Sequence, residues 1–138
     1  MDKRRGFNLI ELMIALVVIG ILTAICLPIY SHYVVRERRM DAEVSLIQLA
    51  SALEKYSLLN NSYENVTLDD LGIPEVLPGN YYKLHIASVT ADSFSVKAIP
   101  LDSQAEKDVL CNELILDSDG TKKISGTGNA TECWKNNG

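Results

Sequence analysis

The sequence predicts an α+β protein in which one long N-terminal helix, apolar in its first half and amphipathic in its second, packs on a small antiparallel β-sheet. Three observations carry that expectation. Leu12 to Val35 runs 24 residues without an Asp, Glu, Lys or Arg. Arg36 to Leu59 then keeps apolar residues at helical spacing, and the chain beyond Asn80 alternates in short stretches bounded by turn residues.

The apolar run comes first. At about 1.5 Å per helical residue it is roughly 36 Å long, enough to cross about 30 Å of hydrocarbon. Glu11 stands just ahead of it, after the neutral stretch Phe7 to Ile10. A carboxylate in a membrane-length segment costs at least about 2.5 kcal/mol, so it calls for a compensating partner. The helix continues through Met40, Ala42, Leu46, Leu49, Ala50, Leu53 and Tyr56 on one face, with Arg36, Arg39, Glu43, Gln48 and Lys55 on others. Asn60-Asn61-Ser62 replaces the pattern with turn formers and predicts the stop. Inside the helix, Pro28 has no N–H for the carbonyl of Ala24, and Gly20 has low helix propensity; with Ile21, Thr23 and Ile25 between them this is the least committed stretch.

The head follows. Asn60 to Asn80, with Asp69-Asp70, Gly72, Pro74, Pro78 and Gly79, reads as a surface connection. Tyr81 to Val89, Phe94 to Ile99 and Glu113 to Leu116 read as strands, with Tyr82, Leu84 and Ile86 on one face of the first and Phe94, Val96 and Ala98 on one face of the second. Thr90 to Ser93 predicts a hairpin turn. Asp117-Ser118-Asp119-Gly120 predicts another, leading into a short fourth strand around Thr121 to Ile124; a calcium loop is the competing reading, but the later glutamate at fixed spacing is missing.

Composition bounds the function. With a membrane-length segment used up, the rest of the 138 residues makes one small head. The formal charge is −5, and without the first six residues it is −7, an acidic body that argues against general nucleic-acid binding. Lys3, Arg4 and Arg5 precede the apolar run, which places the N-terminus in the cytoplasm and the head outside. There Cys111 and Cys133 can oxidise together, whereas Cys26 has no partner in its segment. No Cys-x-x-Cys occurs and His32 and His85 lie far from the late cysteines, so no metal site or other cofactor is expected. No catalytic cluster or phosphate-binding glycine loop is present, so an enzyme is not expected; His85 should point away from the core.

The N-terminus is not a removable secretory signal. Its apolar stretch is too long, and no small-residue cleavage site follows it. The small residue stands before the stretch instead, in Lys3-Arg4-Arg5-Gly6-Phe7-Asn8-Leu9-Ile10-Glu11-Leu12, so a cut between Gly6 and Phe7 would discard only a basic leader.

On these residues, Gly6 to Pro28 resembles the class III signal of type IV pilins and type II secretion pseudopilins, departing only in Asn8 where the family usually has Thr. The resemblance implies a pilin ladle fold and a four-part chain: leader 1–6, transmembrane or filament-core half-helix 7–35, amphipathic half-helix 36–59 and globular head 60–138. It implies cleavage after Gly6 by prepilin peptidase, N-methylation of Phe7, and a helix that bends or loses order around Gly20 to Pro28. The new amine of Phe7 would meet the Glu11 carboxylate of a neighbouring subunit, setting the register between subunits in a low-dielectric core.

The implied life history runs from an inner-membrane precursor, through the membrane assembly platform, to an extracellular pilus of homologous subunits serving adhesion, twitching motility or DNA uptake. More loosely, Cys111, Leu114, Leu116, Gly120, Lys122, Gly126, Cys133 and Trp134 resemble the C-terminal end of minor pilins grouped with the DNA-uptake receptors. A secretion pseudopilin is the alternative, as is a DNA-binding competence pilin. For the latter, Lys122, Lys123 and Lys135 near Trp134 could meet phosphate beside an aromatic platform, against the commoner reading of a solvated lysine face.

Overall fold

A computed structural model describes residues 6–134. The leader ahead of Gly6, with Lys3, Arg4 and Arg5, and the late Lys135 lie outside the described residues. The chain divides into two compact units, one ending at Val34 and the other beginning at Val35.

In the first unit the described chain is helical from Leu9 onward. Helix α1 spans Leu9–Asn60, 52 residues, and helical order passes Gly20 and Pro28 without a break. The Thr23 hydroxyl donates to the Ile19 carbonyl at 2.8 Å, adding a side-chain bond just ahead of the place where Pro28 withholds one. Every residue from Gly6 to Tyr30 is exposed, and the helix is long and apolar enough to cross a membrane.

In the second unit the same helix has something to pack on. Strands β1 (Tyr82–Val89), β2 (Phe94–Pro100), β3 (Leu114–Asp117) and β4 (Lys122–Ile124) form one antiparallel meander in chain order. Register follows alternation: Val96 stands opposite both Ile86 and Leu116, and Leu114 opposite both Ala98 and Ile124. One face, Tyr82, Leu84, Phe94, Val96, Ala98, Leu114 and Leu116, meets Ala42, Leu46, Leu49 and Leu53 of α1 in a single buried cluster. The helix residues repeat at three and four, so they share one face; all four are fully buried. The expected strands thus form within a residue or so of their predicted bounds, and His85 is exposed as expected.

The helix ends at Asn60, and Asn61 takes φ 59°, the left-handed conformation that commonly follows a helix C-terminus. The segment after it runs over the surface as expected, yet it is also fastened to the core. Val66 is buried, Leu68, Leu71, Ile73 and Leu77 pack partly against the core, and the Tyr63 ring meets Phe94 edge-on with centroids 5.1 Å apart. A loop can bury apolar residues at irregular intervals, so periodicity does not reveal them. Thr67 and Asp70 fasten this loop, the carboxylate accepting from both the N–H and the hydroxyl of Thr67, which holds the Asp70 pKa below its ordinary value.

Two short helices also escape the sequence reading: α2 (Asp102–Lys107) and α3 (Ala130–Cys133). Neither is long enough to display a helical period. The Asn129 side chain caps α3 by accepting from the N–H of Thr131.

The two faces of α1 predict different tolerances. Leu49→Ala should destabilise the detergent-solubilised protein by about 2–5 kcal/mol in denaturant unfolding followed by Trp134 fluorescence. Ile47→Ala, at a position 40% exposed, should cost well under about 1 kcal/mol.

Candidate functional site

The N-terminal end of the chain brings three of the expected residues together. Gly6, Phe7 and Glu11 line one notch with Asn8, whose carbonyl accepts the Leu12 N–H at 3.1 Å at the start of α1. Beside it an apolar groove is lined by Asn8, Leu9, Ile10, Met13, Ile14 and Val17. Phe7 is 85% exposed, and the Glu11 side chain has no hydrogen-bond or ion-pair partner among the described residues. A carboxylate on a bare apolar helix is a group whose electrostatic partner has yet to be supplied.

At the other end of the sequence Cys111 and Cys133 are joined, closing a loop of separation 22 around β3 and β4. Chain-entropy reasoning assigns such a loop about 3 kcal/mol. Cys26 is free and exposed on the apolar helix.

Of the expected basic set near the tail, Lys122 stands beside Trp134 and Lys123 turns away from it. Lys122 and Lys123 are consecutive in β4 and so leave opposite faces of the strand. The Lys122 ammonium lies 5.5 Å from the centroid of the Trp134 ring, whereas Lys123 pairs with Asp117 at 2.6 Å. That pair raises the Lys123 pKa and, through the same hydrogen bond, lowers that of Asp117. Trp134 corrects the aromatic-platform expectation. It is 6% exposed, belongs to the core cluster, and donates its indole N–H to the Lys123 carbonyl at 2.8 Å. Being next to the disulfide, it is drawn inward instead of being displayed. Asp117 to Gly120 forms the hairpin turn: Asp117 and Thr121 bond through their backbones at 3.0 Å, Asp119 accepts from the Thr121 N–H at 2.9 Å, and Gly120 takes φ +87°.

A buried polar network was not legible in the sequence. Arg39 forms a two-pronged bond to Asp108, Nε to Oδ2 at 2.8 Å and Nη2 to Oδ1 at 2.9 Å. The Tyr82 hydroxyl donates to the same Asp108 at 3.4 Å, and Gln104 donates both to that hydroxyl, at 2.9 Å, and to the Val35 carbonyl at 3.0 Å. Burial opposes the Arg39 charge, but bonding to Asp108 outweighs it and raises the Arg39 pKa; burial pushes the Tyr82 hydroxyl up. The partners stand 69 positions apart, so only the fold reveals them.

Glu43 corrects its placement on an outer face of the helix. It is 1% exposed, beside Ala42 and Leu46. Burial raises its pKa, with Arg39, Lys122 and Arg36 opposing the rise. Its position on the helical wheel, about 60° from Leu46, was the available signal.

Comparison with known proteins gives this arrangement a lineage. Residues 1–27 match the prokaryotic N-terminal methylation motif, and residues 28–115 match the family described as type IV minor pilin ComP, DNA uptake sequence receptor. A membrane-length apolar half-helix that continues into a helix-on-meander head defines a pilin-like protein. The chain belongs to the type IV pilins, in the minor pilin family that its residues 28–115 match.

Among similar proteins, the prepilin peptidase-dependent protein D of Escherichia coli is 33% identical over 81 residues, 59% of this chain and 56% of that protein. The type IV major pilin protein PilE1 of Neisseria gonorrhoeae is 33% identical over 58% of this chain and 50% of its own. The chain thus spans about half the length of these relatives. The type II secretion system core protein G of Escherichia coli is 30% identical over 80% of this chain and 74% of that protein. A crystal structure of the Neisseria meningitidis non-core minor pilin PilV shares the fold with a TM-score of 0.57, at 21% identity over 70% of this chain and 92% of that one.

Glu43 makes stability depend on pH in a definite direction. Its raised folded pKa means the folded state holds the proton more tightly, so the residue opposes folding increasingly as pH rises from its ordinary 4.5 through the raised value. Glu43→Gln should therefore stabilise the protein at pH 7, with the gain over the parent vanishing below about pH 4 in denaturant titrations.

Proposed function

We propose that this chain is a type IV pilus subunit, synthesised as an inner-membrane precursor with its N-terminus in the cytoplasm. Prepilin peptidase cuts between Gly6 and Phe7 and methylates the new amine, and the membrane assembly platform inserts the apolar half-helix into a filament beside homologous subunits. The observation that carries this reading is Glu11. It stands without a partner among the described residues at the start of a bare apolar helix, in one notch with the residue whose amine cleavage would expose. Pairing with the Phe7 ammonium of an adjoining subunit would neutralise both charges where water is excluded, and it would fix their axial offset.

The second half of α1 supports the same reading. Val44, Ile47 and Leu58 are exposed on the side away from the sheet, and Met40, expected with the core face, falls at their angular position instead and is only partly buried. A helix with apolar residues on two faces suits packing against a sheet on one and against neighbouring helices on the other. Gly20 and Pro28 would be where the stem yields when the polymer is pulled.

DNA uptake is the pilus function that the matched minor pilin family favours. The match ends at residue 115, before Lys122; Lys122 and Lys123 are exposed, but with Trp134 largely buried a phosphate contact there would have little aromatic surface to stack on. A role in type II secretion is the alternative that the likeness to core protein G supports.

Mass spectrometry of protein from sheared filaments should find a chain beginning with N-methylated Phe7; an intact Met1 there would overturn the processing step. Glu11→Val should leave cleavage intact while filament incorporation falls by about ten-fold or more, the scale expected when a buried charge loses its partner. Normal incorporation would refute the pairing. Unchanged filaments together with lost protein secretion in a deletion strain would favour the secretion role.

A further inference from the structure

We propose that the head carries both halves of a head-to-tail contact, in which Val109 and Leu110 of one copy of this chain seat against Leu58 and Leu59 of a second copy. It rests on the subunit reading above. Among the described residues of the head, these are the four large apolar side chains more than half exposed: Leu58 at 82%, Leu59 at 76%, Val109 at 61% and Leu110 at 65%. Folding of the monomer explains neither pair.

The two pairs lie at opposite ends of the head helix. Asp108, directly before Val109, is bonded to Arg39 near the start of that half of α1. Leu58 lies in the last turn, 19 residues beyond Arg39 and so roughly 28 Å farther along the axis. One chain therefore presents apolar pairs at both ends of the same axis.

The pair at the lower end is held stiffly although its side chains bury little. The Leu110 carbonyl accepts from the Gly128 N–H at 2.8 Å, the Cys111 carbonyl from the Gly126 N–H at 3.1 Å, and the Asp108 carbonyl from the Asn112 N–H at 2.8 Å. Asn112 adopts φ 54°, and Cys111 is bonded to Cys133. The two glycines are there for space: a Cβ on Gly126 would collide with the Leu110 carbonyl oxygen, and one on Gly128 would lie 2.8 Å from it. An exposed apolar pair on a backbone fixed this way loses little freedom on docking, which favours a binding role.

Two different patches on one chain make a heterologous contact. Such a contact repeats without closing and so builds an open filament, whereas a self-complementary patch would stop at a dimer. Four side chains cover far less than the roughly 1,200 Å² of a stable interface, so the contact adds to assembly through the stem and leaves isolated subunits monomeric.

The test places a photo-crosslinking amino acid at position 110 of the full-length chain and examines assembled filaments containing isotope-labelled and unlabelled copies. Cross-linked peptides joining position 110 of one copy to the segment around Leu58 and Leu59 of another are expected. Leu58→Ser combined with Leu59→Ser should lower their yield by about ten-fold or more. Formation of the Cys111–Cys133 bond shows that this variant still folds. Leu110→Ser, read by filament incorporation, gives the reciprocal test and should reduce it. Cross-links only to a different protein, or only to other parts of the chain, would overturn the contact while leaving the subunit reading intact. Absence of the chain from filaments would overturn both.

Discussion

A single helix has to satisfy two surroundings, and the rest of the structure follows from how it does so. Over Leu9 to Tyr30, α1 keeps its apolar side chains exposed. From Val35 onward it turns Ala42, Leu46, Leu49 and Leu53 onto a sheet that exists to receive them. A helix that meets its solvent only by being inserted into something apolar is stable in two places, a bilayer or a bundle of its own kind. The head, by contrast, has its own buried core, built where the second half of the helix meets the sheet.

The attachment of that body is polar as well as apolar. Arg39, Asp108, Tyr82 and Gln104 converge from α1, the segment after α2, β1 and α2, and Gln104 reaches the Val35 carbonyl where the second unit begins. Charges buried this way are specific more than they are stabilising, because their desolvation offsets most of their attraction. Their contribution is to define which turn of the helix meets α2. The Arg38 guanidinium, 3.5 Å from the centroid of the Tyr81 ring, adds a further tie to the start of the sheet.

Much of this is legible in the sequence. The break between an uncharged run and an amphipathic one marks where the helix changes surroundings, because each composition fits only one of them. Alternation in Phe94, Val96 and Ala98 fixed the face of β2, and turn residues fixed where each strand stopped. What escaped had no local period. Gln104 and Asp108 act across nearly seventy positions, Val66 is buried from a loop, and Glu43 sits inside despite its charge, with Arg39, Lys122 and Arg36 only partly offsetting the burial that raises its pKa. The tail showed the opposite error: Trp134 beside lysines suggests display, but the adjacent disulfide turns the indole into core and its N–H into a bond to Lys123. Glu11 was conspicuous from the sequence because a lone acid among apolar residues has few structural reasons to be there.

The meander leaves β1 and β4 as the outer strands, and their treatment says how these heads avoid adhering wrongly at high local density. On β1 the backbone is partly occupied, with Val76 bridged to Lys83 and Leu84 donating to Glu75. On β4 the strand is three residues long, carries two consecutive lysines, and has the Lys123 carbonyl taken by the tryptophan. Brevity and positive charge are the usual guards against strand-to-strand aggregation. With both sheet borders guarded, a crowd of such heads is steered away from amyloid-like stacking.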